Sequence, residues 1–199
     1  MSNNAIEFAD DSFDRLQELT QIGFSESKIR GAVYTVINQV ARDTIKPTAK
    51  GIQAHLALKQ KKIKEAIKVT KKAKRGSLSA VISIFKNKRP GLKEFKLKPI
   101  KRGKRSAGVK YQIRPGKQKT IAEAFVIEKF GGHAFINVGG RKITKLHGAS
   151  VWGAYVKNDM QEQTEIDVME RLDYRINRFI RDQVRKYKLK HPIVTGKHL

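Results

Sequence analysis

EAFVIEKFGGHAFINVGGRKI, residues 123–143, sets two glycine pairs around a short apolar run that contains one histidine. A phosphate cradle of the Walker type needs a glycine followed five residues on by Gly-Lys-Ser or Gly-Lys-Thr, and no window of the chain fits. Paired glycines do supply the positive backbone angles of tight hairpins. The stretch therefore predicts a three-strand antiparallel meander, 124–130, 133–138 and 141–146, turning at Gly131-Gly132 and Gly139-Gly140.

Upstream, Val109, Tyr111 and Ile113 alternate with polar residues and predict a strand that turns at Pro115-Gly116, with 117–120 as a connection. Leu78, Ala80, Ile82 and Ile84 predict another strand, and Leu92, Phe95 and Leu97 a weak edge strand after the Pro90-Gly91 turn. IKRGKRSAG, 100–108, shows no apolar pattern and reads as a mobile basic loop. KQKKIKEAIKVTKKAKRG, 59–76, reads as a lysine-rich helix whose thin edge of Ile63, Ala66 and Ile67 must dock to persist.

The two ends are helical. Behind Ser25, the residues Ile29, Val33, Val36, Ile37, Val40, Ala41 and Thr44 follow the spacing of one buried stripe. A short helix at 10–22, closed by Gly23, precedes it. Pro47 is expected to break or kink the long helix at Lys46, since proline offers no amide hydrogen, with a continuation through Ala49, Ile52 and Leu56. At the other end Ile166, Met169, Leu172, Ile176, Phe179, Ile180, Gln183 and Tyr187 line one helical face, opposite Arg171, Arg175, Arg178, Arg181 and Arg185. Pro192 and Gly196 close that helix.

The fold class that follows is α+β: N-terminal helices, a central antiparallel β-sheet or small barrel over about 69–146, and a long C-terminal amphipathic helix. The 199 residues suit a single domain with arms. Its parts are a helical 1–67, a β-rich 68–150 holding the basic loop 100–108, a helix at 151–190 and a tail at 191–199.

The net charge is +25 and is uneven. Residues 46–119 carry 25 Lys and Arg against only Glu65 and Glu94, whereas 1–27 hold six acids against Arg15. Such density attracts polyanions, because each neutralised phosphate releases a counterion. The candidate contacts to nucleic acid or an acidic partner are Lys61, Lys62, Lys64, Lys68, Lys71, Lys72, Lys74, Arg75, Lys101, Arg102, Lys104 and Arg105. Lysine dominates the segment, which favours phosphate contact over base reading; a solvated basic face is the plain alternative. Phe85, Phe95, Tyr111, Phe125, Phe130 and Phe135 read first as core, with a stacking platform left open.

Other chemistry finds little footing. The chain has no cysteine, which excludes disulfides, thiolate metal sites and cysteine nucleophiles. His55, His133, His147, His191 and His198 show no metal-ligand spacing, and the segment best suited to hold DNA lacks the carboxylates of a metal-dependent nuclease. GASVW, 148–152, approaches a nucleophile elbow, but Trp152 stands in place of the second glycine and Ser150 reads as a helix cap. No enzyme, metal or cofactor is expected. MSNNAIEFADD lacks a signal pattern and no apolar run approaches eighteen residues, so no membrane contact is expected and a reducing, cytoplasmic site of synthesis is.

Four segments carry a resemblance: INQVARDTIKPTAK (37–50), KQKKIKEAIKVTKKAKRGSLSAVISI (59–84), GVKYQIRPGKQKTIAEAFVIEKFGGHAFINVGGR (108–141) and ITKLHGASVWGAYVKN (143–158). Together they resemble the minor tail protein Z, or tail completion, family of long-tailed bacteriophages, over roughly 31–187. The chain departs from that pattern at Ala122-Glu123, where a Pro-Gly pair is common, and at Ala149, where a proline is common. The resemblance implies a non-enzymatic virion component of the neck, at the head-proximal end of the tail. It implies a ring of this chain, a hexamer to match the tail tube. The amphipathic helix itself offers the arginine face, Arg171, Arg175, Arg178, Arg181 and Arg185, as the contact to the next subunit, a solo domain with the helix stripe buried internally being the plain alternative. The implied partners are the tail terminator or tail tube protein, the head connector and the viral DNA end, the last held by non-specific phosphate contact. The competing class is a basic nucleic-acid-binding protein of ribosomal or nucleoid type.

Overall fold

The computed structural model describes residues 5–6, 19–21, 23–87, 89–103 and 105–190, of 5, 6 and 105 the backbone alone. The elements are β1 (Ala5–Ile6), α1 (Glu26–His55), α2 (Gln60–Lys64), β2 (Ile67–Lys71), β3 (Ala80–Ile84), β4 (Lys98–Arg102), β5 (Arg105–Arg114), β6 (Lys117–Ile121), β7 (Phe125–Ile127), β8 (His133–Asn137), β9 (Ile143–Lys145), α3 (Val151–Lys157) and α4 (Met160–Lys190). The expected α+β class holds, with three separate three-stranded sheets, β1-β3-β2, β4-β5-β6 and β7-β8-β9, in place of a barrel. The chain groups into two compact units, each discontinuous: Met1–Thr44 with Val69–Ile82 and Thr164–Leu199, and Ile45–Lys68 with Ser83–Gln163.

In the first unit, 19–21 are helical and Gly23 closes that turn, its N–H bonding Thr20 O at 3.0 Å and the Phe24 N–H bonding Leu19 O at 3.0 Å. This is the paired closure that satisfies the last carbonyls of a helix. The rest of the short helix at 10–22 lies outside the described residues, as do Pro192, Gly196 and the tail. The α1 stripe is buried as expected, Ile29, Val33, Ile37, Val40 and Ala41 packing with Leu19, Ala73, Ala80 and four residues of α4. Those four are Val168, Leu172, Ile176 and Ile180; the last three belong to the expected face, with Phe179 packed beside them, while its early members are outside, Ile166 46% and Met169 41% exposed, and Val168 takes their place. A spacing of four residues outruns the 3.6-residue turn by about 40° per step, so the contact line slants around α4 and leaves its early members outside.

Pro47 does not interrupt α1. The proline forfeits one amide bond, yet Thr44, Thr48, Ala49 and Ile52 around it are buried and their packing keeps the segment helical. The expected lysine-rich helix is cut to α2, and Ile67–Lys71 become a strand. Ile63, Ala66 and Ile67 are buried nonetheless, so the apolar positions are as expected and the conformation is not. The terminal helix is two helices. Asp159 has φ 49° and the Asn158 side chain donates to the Ala154 carbonyl, one of the last free acceptors of α3.

In the second unit the 92–97 edge strand is absent; Leu92–Glu94 form a 3-10 turn that buries Leu92 and Phe95. The basic loop is a β-hairpin, β4 pairing β5 from Lys98↔Lys110 to Arg102↔Arg105, and the 117–120 connection is strand β6. Register explains why these charged segments pair. Pro99, Val109 and Ile121 stand in line across the three strands, Val109 wholly buried, while Lys98, Lys110 and Thr120 line up on the other face. Gly108 has φ +116°, and a Cβ there would lie 2.5 Å from the Ile121 carbonyl oxygen, so only glycine fits. The meander holds as expected, Phe125↔Phe135 and Phe135↔Lys145 in register.

Candidate nucleic-acid interface

The 68–80 stretch folds back on itself because Lys74 and Ser77 exchange both backbone bonds, at 2.8 and 3.0 Å, around Arg75-Gly76. Asn38 of α1 grips the hairpin at Ala73: its Nδ2 donates to the Ala73 carbonyl at 2.9 Å and its Oδ1 accepts the Ala73 N–H at 2.9 Å. An amide is the side chain that can give and take in this way, since it carries both a donor and an acceptor. Around the clamp Lys71, Lys72, Lys74 and Arg75 are exposed. Arg75 reaches back over α1, its Nε and Nη2 3.7 and 3.8 Å from where a Cβ on Gly31 would stand. A groove of about 260 Å³ beside the clamp is walled by Tyr34, Thr35, Asn38, Arg42, Val69 and Lys72.

In the second unit α2 carries Lys61, Lys62 and Lys64 around the buried Ile63, and Lys68 follows, exposed, in β2. Lys62 bonds Glu65 at 3.1 Å, and that hydrogen bond, with the charges of Glu65 and Glu94, raises its ammonium above the usual lysine range. Lys101 and Arg102 stand exposed at the end of the β4–β5 hairpin. Arg105 is opposite Arg102 in register, its side chain outside the described residues, and Lys104 lies outside them altogether. A second groove, about 470 Å³, sets Lys59, Lys93 and Lys96 around an apolar floor of Leu56, Leu58 and Pro115, with Glu94 also on its wall. Gln53 Nε2 donating to Leu58 O at 3.0 Å and Ala57 N–H donating to Ile113 O at 2.7 Å hold that floor.

The structure thus divides the predicted basic residues, with Lys71, Lys72, Lys74, Arg75, Lys101 and Arg102 near two hairpin ends and Lys61, Lys62, Lys64 and Lys68 on α2 and the start of β2. It adds Arg42, Lys59, Lys93 and Lys96, which sequence reasoning missed. Only topology brings these last four beside a groove; the one hint in the sequence was overall lysine density. Among the described basic residues of 46–119, Lys62 alone has an ion-pair partner. The arginine set of α4 divides. Arg175 is spent inside the unit, bonded to Asp43 and, at 3.0 Å, to Gln39. Arg171, Arg178, Arg181 and Arg185 are exposed, the first two on the wall of a groove of about 450 Å³ that also holds Asp43 and Asp182.

Ser150 caps α3, its Oγ accepting the Gly153 N–H at 2.9 Å. Among the described histidines, His133 has a ring nitrogen buried without a partner. Its Nε2 lies 3.2 Å from Lys145 Nζ, and an ammonium only donates, so the ring proton belongs on Nδ1, which is buried without a partner. Burial, then the charges of Lys145 and Lys93, push its pKa below the ordinary 6.5. His147 meets the Arg89 carbonyl at 3.2 Å; His191 and His198 lie outside the described residues. Among the described residues no three His, Asp or Glu cluster as a metal would need, and no helix is long and apolar enough to cross a membrane. No family model, curated protein or solved structure matches the chain.

Proposed function

We propose that this chain is a structural virion protein of a tailed bacteriophage, a tail-completion or neck component at the head-proximal end of the tail. It helps join the tail to the head connector and seats the packaged DNA end, without catalysis and without a cofactor. The observation that carries the reading is the coincidence of two features in one chain: the four segments that resemble the tail-completion family, and a cationic surface with almost no internal counter-charge. A body of this kind gains most when assembled around DNA or against acidic neighbours, where the self-repulsion of its lysines is relieved. In a ring of six around a channel, the hairpin-tip lysines contact phosphates and Arg171, Arg178, Arg181 and Arg185 meet the next subunit; tail terminator or tail tube proteins and head connector proteins abut the two rims.

The test is deletion of the gene in the parent virus and electron microscopy of the lysate. Unjoined heads and tails, or joined particles that do not eject DNA, are expected; normal infectious particles would sink the reading.

The second reading, a ribosomal or nucleoid-type binding protein, is favoured by one feature, the groove at Arg42 and Lys72 with no carboxylate on its wall. It predicts tight binding to free DNA or RNA that collapses with salt. The tail-completion reading predicts weak binding to free DNA and firm attachment to tail ends.

A further inference from the structure

We infer that the groove between α1 and the β2–β3 hairpin is a built phosphodiester site, with Arg42 and Lys72 as its cationic pair and Asn38 as the residue that positions them. The inference rests on the phosphate-contact part of the reading above and not on the virion location. Gly31, Thr35, Asn38 and Arg42 recur at intervals of four, three and four residues, which places them on one face of α1. The Arg75 guanidinium lies over Gly31 at a distance that a Cβ would meet in ordinary contact, Asn38 fixes Ala73 and with it the adjoining Lys72, and Arg42 donates through Nε to the Asn38 carbonyl at 3.2 Å. That last bond orients the guanidinium and leaves both its Nη groups without a partner among the described residues. Thr35 is exposed on the groove wall but its hydroxyl donates to the Gly31 carbonyl at 2.8 Å, so the cationic donors left on the wall are Arg42 and Lys72.

No Asp or Glu lines the groove. Arg42 is held by a neutral carbonyl and neither cation is in an ion pair among the described residues, which is the condition for binding an anion without first breaking one. A single carboxylate would satisfy this pair and leave Lys71, Lys74 and Arg75 beside it unmatched. A chain of regularly spaced monoanions, the backbone of a nucleic acid, matches all of them.

The experiment is fluorescence anisotropy of the full chain with a short DNA duplex between 50 and 200 mM KCl. Each duplex phosphate contact contributes about 0.9 to the slope of log K against log salt, so R42Q/K72Q is expected to lower that slope by about 1.8. K117Q/K119Q, which removes the same charge from exposed positions of β6, is expected to lower it by less than half as much. Equal effects in the two double variants would reduce the groove to general surface charge and overturn the site. Loss of tripolyphosphate binding with DNA binding intact in R42Q/K72Q would overturn it in another way, by making the ligand a small polyphosphate. N38A keeps both cations; a lowered slope is expected, whereas a native slope would remove Asn38 from the site. Normal particles from the gene deletion would sink the tail reading and leave this binding result standing.

Discussion

Removing the Asn38 amide tests the clamp on which the basic hairpin depends. Asn38→Ala deletes two hydrogen bonds of 2.9 Å and leaves the N–H and C=O of Ala73, a residue 3% exposed, without their partner. A typical bond contributes about 1 kcal/mol net, and stranding a buried polar group costs about 1–3 kcal/mol more. Water reaching Ala73 in the variant caps the second cost, so about 2 kcal/mol of local stability is expected to go. The natural readout is amide hydrogen exchange at Ala73, because its N–H is held by a side chain and not by the sheet ladder. At about 1.4 kcal/mol per tenfold, exchange there should speed up about 30-fold. Residues of the β4–β5–β6 sheet should not change. Asn38→Asp keeps the acceptor and loses the donor, so the Ala73 amide should stay largely protected while the unit still loses stability. If Ala73 exchanges at its native rate in Asn38→Ala, the hairpin is held by its own packing and the clamp argument is wrong.

Three further outcomes follow from other contacts. A Cβ on Gly148 would stand 2.1 Å from Phe95 Cε2 under a fully buried ring, so Gly148→Ala should cost about 1–3 kcal/mol by denaturant titration and be partly rescued by Phe95→Leu; a neutral effect would refute the packing. Ser150→Ala removes the α3 cap bond and should cost about 1 kcal/mol, with Ser150→Asp close to native. His133 has a depressed pKa in the fold, so the unfolded chain binds its proton first: the stability it contributes is complete above about pH 6.5 and is lost as pH falls from there through the folded pKa. His133→Gln should accordingly flatten the decline in denaturation midpoint between pH 7.5 and 5.5, and an unaltered decline would place the titrating group elsewhere.

The parts of the fold legible in the sequence are those where one periodicity governs burial. The α1 stripe and the β7–β8–β9 meander follow directly from spacing and paired glycines. The errors share a cause. In 59–76 and 92–108 the charge is so dense that apolar residues are too few to declare a period, and conformation is set by where Ile63, Ile67, Leu92 and Phe95 must be buried. Residues 100–108 lack any apolar alternation of their own, yet they pair because Val109 and Ile121, just beyond them, fix the register. On α4 the later members of the face were right and the early ones lie outside, because a slanted contact line against one neighbour cannot be read from a helix alone. For the site, lysine density located the hairpin tips, while Arg42 joins Lys72 only through the fold, thirty positions apart in sequence.

The same registers also set where like charges meet on the basic surface. Pairing β4 with β5 sets Lys98 against Lys110, like charges in directly opposed positions, which sheets ordinarily avoid. The arrangement is retained because the opposite face buries Val109 and half-buries Ile121, and a one-residue slip that separated the cations would turn Val109 out of the core. Core packing therefore imposes the repulsion, and no carboxylate within the described residues of that hairpin offsets it. Salt relieves such repulsion only over about 8–10 Å, whereas a bound polyanion relieves it at contact. A ligand that binds only the folded chain stabilises it in proportion to its affinity. A phosphate-bearing or acidic surface laid against these strands would therefore stabilise the fold by removing the repulsion that the β4–β5 register imposes.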